Sequence, residues 1–209
     1  MTLRLGLLLA AALLGGSAAP APLREPPTPV AVITEINIAR SRPADYAEAL
    51  RRYRGYFQGK IVRYPGNPGG LITAEGVAAV DEAIADLGKR GAVPLVQPSD
   101  LLALAARDFV LEQGPLGTTG HVSADGSRAG GRVKKRGGES FVAETITYGP
   151  STAVEVVRQL IVDDGVRDRG HRRIALAGEF LYAGAACGPH KVYGTMCVAD
   201  FARTPNGAP

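Results

Sequence analysis

Histidine and cysteine are scarce in this 209-residue chain, with 3 and 2 copies. No C-x-x-C pair is present, and a dithiol redox role would need one. Past the first residues, no stretch approaches the roughly 20 apolar residues of a transmembrane helix. Arginine and lysine form no basic stripe with interleaved aromatics, and 24 basic residues against 20 acidic is a mild balance. Nucleic acid is therefore not an expected partner. The mature chain has no Gly-x-Ser-x-Gly elbow, so an α/β-hydrolase serine is not expected. It has no His-Glu-x-x-His helix, so any metal ligands must come from distant loops. Asp163, Asp164 and Asp168 lack EF-hand spacing and its terminal glutamate. No internal repeat is visible.

The amino end is a targeting segment. Arg4 gives a basic start, Leu5 to Leu14 an apolar core, and Ser17-Ala18-Ala19 a small-residue cleavage site. Residues 1–21 thus read as a secretory signal peptide. No cysteine follows to carry a lipid anchor, and a secreted or periplasmic location is expected. Residues 22–29 are a proline-rich leader. Residues 30–203 make one domain by length, and 204–209 form a tail expected to be disordered.

Within the domain, Val30–Arg40 and Ala44–Tyr53 read as helices separated by Ser41-Arg42-Pro43. Residues 64–70 form a proline-glycine turn cluster. A helix starts at Thr73, with Val77, Val80, Ile84 and Leu87 at helical spacing and Gly88 as its cap. Ser99 or Asp100 caps another helix, which Gly114-Pro115 stops. Ser123–Ser127 suggests an Asx-type turn. Arg132, Lys134, Lys135 and Arg136 read as a solvated basic loop. Phe141–Tyr148 is a short strand or an irregular run. Thr152-Ala-Val-Glu155 is a capping box. Phe180–Cys187 and Val192–Phe201 are strands joined by Gly188–Lys191. Cys187 and Cys197 can pair across that hairpin, a bridge worth about 2–3 kcal/mol. The pattern is α+β, with helices packed on an antiparallel sheet.

Two histidines follow glycine in turn-rich segments, where an imidazole can ligate metal or titrate. Gly120-His121, Gly138-Glu139-Ser140 and Gly170-His171-Arg172 stand in this order. With Asn37-Ile-Ala-Arg40 and the closing run Gly188–Phe201, they resemble the CAP superfamily, the SCP-like extracellular proteins that include cysteine-rich secretory proteins, allergens and pathogenesis-related proteins. The likeness is to the secreted bacterial branch and covers about Ile33 to Phe201.

The resemblance implies a three-layer α-β-α sandwich with a cleft of two histidines and two acids. His121 and His171 match the histidines and Glu139 the first acid. Asp163 best matches the second, with Asp164 and Asp168 as alternatives. Ser140 stands where the family has asparagine, the segment 42–98 is an insertion, and Asp163–Arg169 is an added loop. Such a cleft implies zinc or another divalent cation held by His121 and His171, or carboxylates that orient the imidazoles.

Three functions compete. One is a monomeric, non-enzymatic binding protein for a metal ion, a small apolar ligand or a protein partner. Another is a metal-assisted hydrolase with Glu139 as base. The third is an envelope or surface interaction module that uses the insertion, whose Arg51–Phe57 run is basic and aromatic. His190, in the hairpin turn, is expected to be exposed and idle.

Overall fold

The computed structural model describes residues 25–65 and 67–209. The expected signal peptide, residues 1–21, lies outside them. The first described element is α1 (Pro29–Ser41), which begins within the stretch read as leader. Thr28 accepts the Ala31 amide as N-cap, and Pro29 fills the first turn, where its missing N–H is not needed. Next come α2 (Pro43–Arg54), β1 (Phe57–Gln58), β2 (Ile61–Tyr64), β3 (Asn67–Ile72) and α3 (Val77–Lys89). They continue into β4 (Gln97–Pro98), α4 (Asp100–Leu116), α5 (Ala129–Lys135), β5 (Val142–Tyr148) and α6 (Ala153–Val162). The last elements are α7 (Gly170–Ala175), β6 (Tyr182–His190) and β7 (Gly194–Ala202).

The central sheet has the order β4-β6-β7-β5. Its three long strands are antiparallel, and the two-residue edge strand β4 runs parallel to β6. Side chains alternate across β7. Cys197, Ala199 and Phe201 join a core with α1, α2, α3, α6 and α7 on one face. Met196, Val198 and Ala202 pack on the other face, against residues of α4 and Val133 of α5. This is a three-layer α-β-α sandwich. Cys187 faces Cys197 in register, and the two form a disulfide with Cα atoms 4.1 Å apart.

Close packing explains two glycines. A Cβ on Gly184 of β6 would sit 2.1 Å from the Ala103 amide nitrogen, and one on Gly114 would sit 2.3 Å from the Pro189 carbonyl. Gly114 is therefore inside α4, where the sheet needs it, and is not a stop signal. The helix ends at Gly117, in the left-handed region. Replacing Gly184 by alanine forces α4 off the sheet and is expected to cost about 1–3 kcal/mol. Urea unfolding measures this, and an unchanged midpoint would contradict it.

The insertion is part of this core. Tyr46, Ala47 and Leu50 of α2 and Ala79, Val80, Ala83 and Leu87 of α3 are buried in the large cluster. Of residues 64–70, read as a turn cluster, 64 ends β2 and 67–70 belong to β3: β1, β2 and β3 form a second antiparallel sheet. In that sheet Asn67 already pairs with Tyr64. Helix α3 starts at Val77, not Thr73, because Thr73 donates its amide and hydroxyl to the Lys60 carbonyl. Gly88 lies within α3, whose C-cap is Arg90.

The basic cluster is helical, not a loop, and Arg132 is buried within it. The tail is held in place. Asn206 and Gly207 carbonyls accept the Glu139 and Phe141 amides, and Pro205 accepts the Ser99 hydroxyl. The Asn37 and Arg40 pair has a bracing role: Asn37 exchanges two hydrogen bonds with Val96. Arg40 donates to the carbonyls of Pro94, Ala175 and Phe180, each at 2.8 Å.

Candidate functional site

Helix α6 sets the site. Its capping box is complete, with the Glu155 amide donating to Thr152 and the Glu155 carboxylate accepting the Thr152 amide. The helix ends at Asp163, whose φ of 54° is in the left-handed region that aspartate tolerates better than most residues. There the carboxylate turns back. It accepts the His171 amide at 2.9 Å and the Arg172 amide at 3.3 Å, and it holds His171 Nδ1 at 2.7 Å. Both residues open α7.

The other histidine comes from the loop after α4. His121 Nδ1 lies 2.9 Å from Glu144 Oε1, and the second oxygen of Glu144 is bonded by Arg132. Glu144 and Arg132 are both buried. A carboxylate at Nδ1 accepts a hydrogen bond from an N–H on that nitrogen and leaves Nε2 as the working atom. The two rings face each other with centroids 6.1 Å apart and planes 30° apart.

His121, Asp163 and His171 are therefore brought together, and Glu139 is not. Glu139 is exposed, gives its amide to the carboxyl tail and touches neither imidazole. Glu144 takes the place expected for it. The sequence signal was a lone glutamate amid the apolar residues of β5, a position where a charge must be paired. Asp164 and Asp168 do not complete the cleft. Asp164 accepts the Ala74 and Glu75 amides, and Asp168 pairs with Arg173. Arg169 bridges Glu75 and Glu82, so the loop 163–169 fastens the insertion to the histidine pair.

His190 is buried rather than exposed. Its Nδ1 accepts the Val192 and Tyr193 amides, so the proton is on Nε2, which donates to the Thr118 carbonyl at 2.9 Å. It shapes the β6–β7 turn, which begins only after His190. The Arg51–Phe57 run also turns inward in part. Tyr53 stacks edge-on against Phe57 and Tyr64, and Arg54 pairs with Asp81.

The donor set does not suit a zinc ion. Among the described residues, no group of three or more His, Cys, Asp and Glu side chains is placed to hold a metal. Two imidazoles remain, whereas zinc sites use three or four protein ligands. Both nearby carboxylates are already committed to Nδ1.

Beside the pair lies a cavity of about 560 Å³. Leu71 and Ile72 come from the small sheet, Ile146 and Tyr148 from β5, and Leu160 and Val162 from α6. His121 and His171 also line it. Tyr53, Tyr64 and Arg158 line it too. Burial pushes the Tyr53 phenol up to about 12, partly offset by Arg158, so it stays neutral. Burial and the bond to Glu155 raise Tyr64 as well. Tyr148 is raised by burial, although its oxygen accepts the Gly120 amide.

With this geometry, two solved structures are similar. An extracellular protein containing an SCP domain from Bacillus anthracis has a TM-score of 0.45 and 18% identity, covering 61% of this chain. The chain spans 38% of that protein. An outer surface protein from Borrelia burgdorferi has a TM-score of 0.44 and 15% identity, covering 52% of this chain and 77% of its own. No family model matches the sequence, and no curated protein matches it. No helix among the described residues is long and apolar enough to cross a membrane.

Proposed function

We propose that this is an exported binding protein that holds the apolar body of a small ligand in the cavity beside His121 and His171, without turning it over. The carrying observation is the cavity itself. At about 560 Å³ it falls within the usual range of ligand sites, about 300–1,000 Å³, and apolar walls with a few convergent polar groups are the usual lining. The apolar run Leu5–Leu14 supports export.

The hydrolase reading is less well supported. Its intended base, Glu139, lies away from both imidazoles, while Glu144 and Asp163 are tied to Nδ1 atoms and serve to orient the rings. An ion at this place would meet two imidazoles and water.

The test is calorimetric titration of the protein with 1-dodecanol. Saturable binding is expected. The double substitution Leu71→Glu/Ile72→Glu, at two exposed wall positions where folding has little at stake, should weaken it by about tenfold or more. No binding, or binding indifferent to these charges, would sink the reading.

A further inference from the structure

Among the described arginines, Arg158 alone lies over two aromatic rings. Its guanidinium carbon lies 4.2 Å from the Tyr53 ring centroid and 4.6 Å from that of Tyr64. Only 17% of its side chain is exposed, and it lines the cavity. Its nearest carboxylate oxygen, on Glu155, is 4.0 Å away, beyond hydrogen-bond reach. Among the described residues the guanidinium donates no hydrogen bond. The buried arginines Arg40, Arg132 and Arg172 all do.

Glu155 does not compete for it. The glutamate accepts the Tyr64 hydroxyl at 2.8 Å, the Ser151 amide at 2.9 Å and the Thr152 amide at 3.1 Å. Stacking against two rings holds the guanidinium plane, and the side chain lines the cavity. A half-buried cation with idle donors is costly unless an anion meets it.

We propose that Arg158 is an anion-binding subsite of the cavity, and that the ligand is a single-chain amphiphile with a carboxylate head. This rests on the binding reading above. A carboxylate fits better than a phosphate dianion, because one guanidinium supplies one charge and Glu155 stands beside it. The chain of such a ligand would run along α6 toward the imidazoles. From Arg158 to Asp163 the chain along α6 rises about 7.5 Å, past Ile72, Leu160 and Val162, which line the cavity.

The test compares dodecanoate with 1-dodecanol, the same chain with a neutral head, by calorimetry below micelle formation. Wild type, Arg158→Gln and Arg158→Lys are each checked for folding by thermal unfolding. Wild type should bind dodecanoate at least about tenfold tighter than dodecanol. Arg158→Gln should erase that difference while leaving dodecanol affinity unchanged. Arg158→Lys, which keeps the charge but loses the planar fork, should retain part of it.

Equal affinity for both ligands in wild type would overturn the proposal alone. So would equal weakening of both in Arg158→Gln, which marks a structural role. If neither ligand binds, the reading of the cavity falls with it. Should Arg158→Gln fail to fold, the wild-type preference and the lysine variant still decide.

Discussion

Exchanging Arg40 for methionine is expected to lower the free energy of unfolding by about 3–5 kcal/mol. The side chain is buried, and its three nitrogens serve three carbonyls from separate segments: Pro94 before β4, Ala175 at the end of α7 and Phe180 before β6. Methionine fills most of the volume but donates nothing. Each buried acceptor left without a donor costs about 1–3 kcal/mol, and relief of guanidinium desolvation returns part of the sum. Burial is already the main force lowering the Arg40 pKa, which is the measure of that relief. Urea denaturation checks the value. A loss below about 1 kcal/mol would show that water replaces the guanidinium.

Exchanging Asp200 for asparagine is expected to have the opposite sign, with an effect that grows with pH. Asp200 is fully buried in β7, directly across from Glu144 in β5, and neither of its carboxyl oxygens has a partner. Burial first, then the Glu144 charge, raises its pKa well above the ordinary 3.8, against a smaller opposing pull from Arg132. Arg132 neutralises Glu144, and Asp200 keeps its proton. The sign follows from linkage. The unfolded chain releases this proton above the ordinary value and the folded chain does not, so unfolding releases a proton. Stability is therefore full below the ordinary value and falls as pH rises toward the folded pKa, at up to about 1.4 kcal/mol per pH unit. Asparagine removes that slope. The variant should match wild type near pH 4 and exceed it at pH 7 in urea unfolding. A variant less stable than wild type at pH 7 would mean that the carboxylate is ionised and paired.

These two residues also show what could be read in advance. Arg40 belongs to Asn37-Ile-Ala-Arg40, a motif visible in the sequence, yet its three acceptors lie 54, 135 and 140 residues away. Asp200 and Glu144 are ordinary acids in two apolar strands until the register β5–β7 sets them opposite each other.

Local rules settled a great deal. The Thr152–Glu155 capping box, the Ser99 cap of α4, the breaks at Pro43 and the cysteine pairing are short-range chemistry, and each is legible where it stands. The family resemblance implied that His121, Asp163 and His171 share one place, and the folded chain sets these side chains together. Tertiary structure decided the rest. It replaced Glu139 with Glu144, because strand β5 delivers the carboxylate and the loop before it does not. It buried His190, because amides of a turn converge on Nδ1. It folded the insertion into the core, because α2 and α3 carry apolar faces that only α1, α6 and the sheet can cover. It also brought Arg158 against Tyr53 and Tyr64. That contact between distant segments has no local signature, since a helix stripe records which face is buried and not which rings lie across from it.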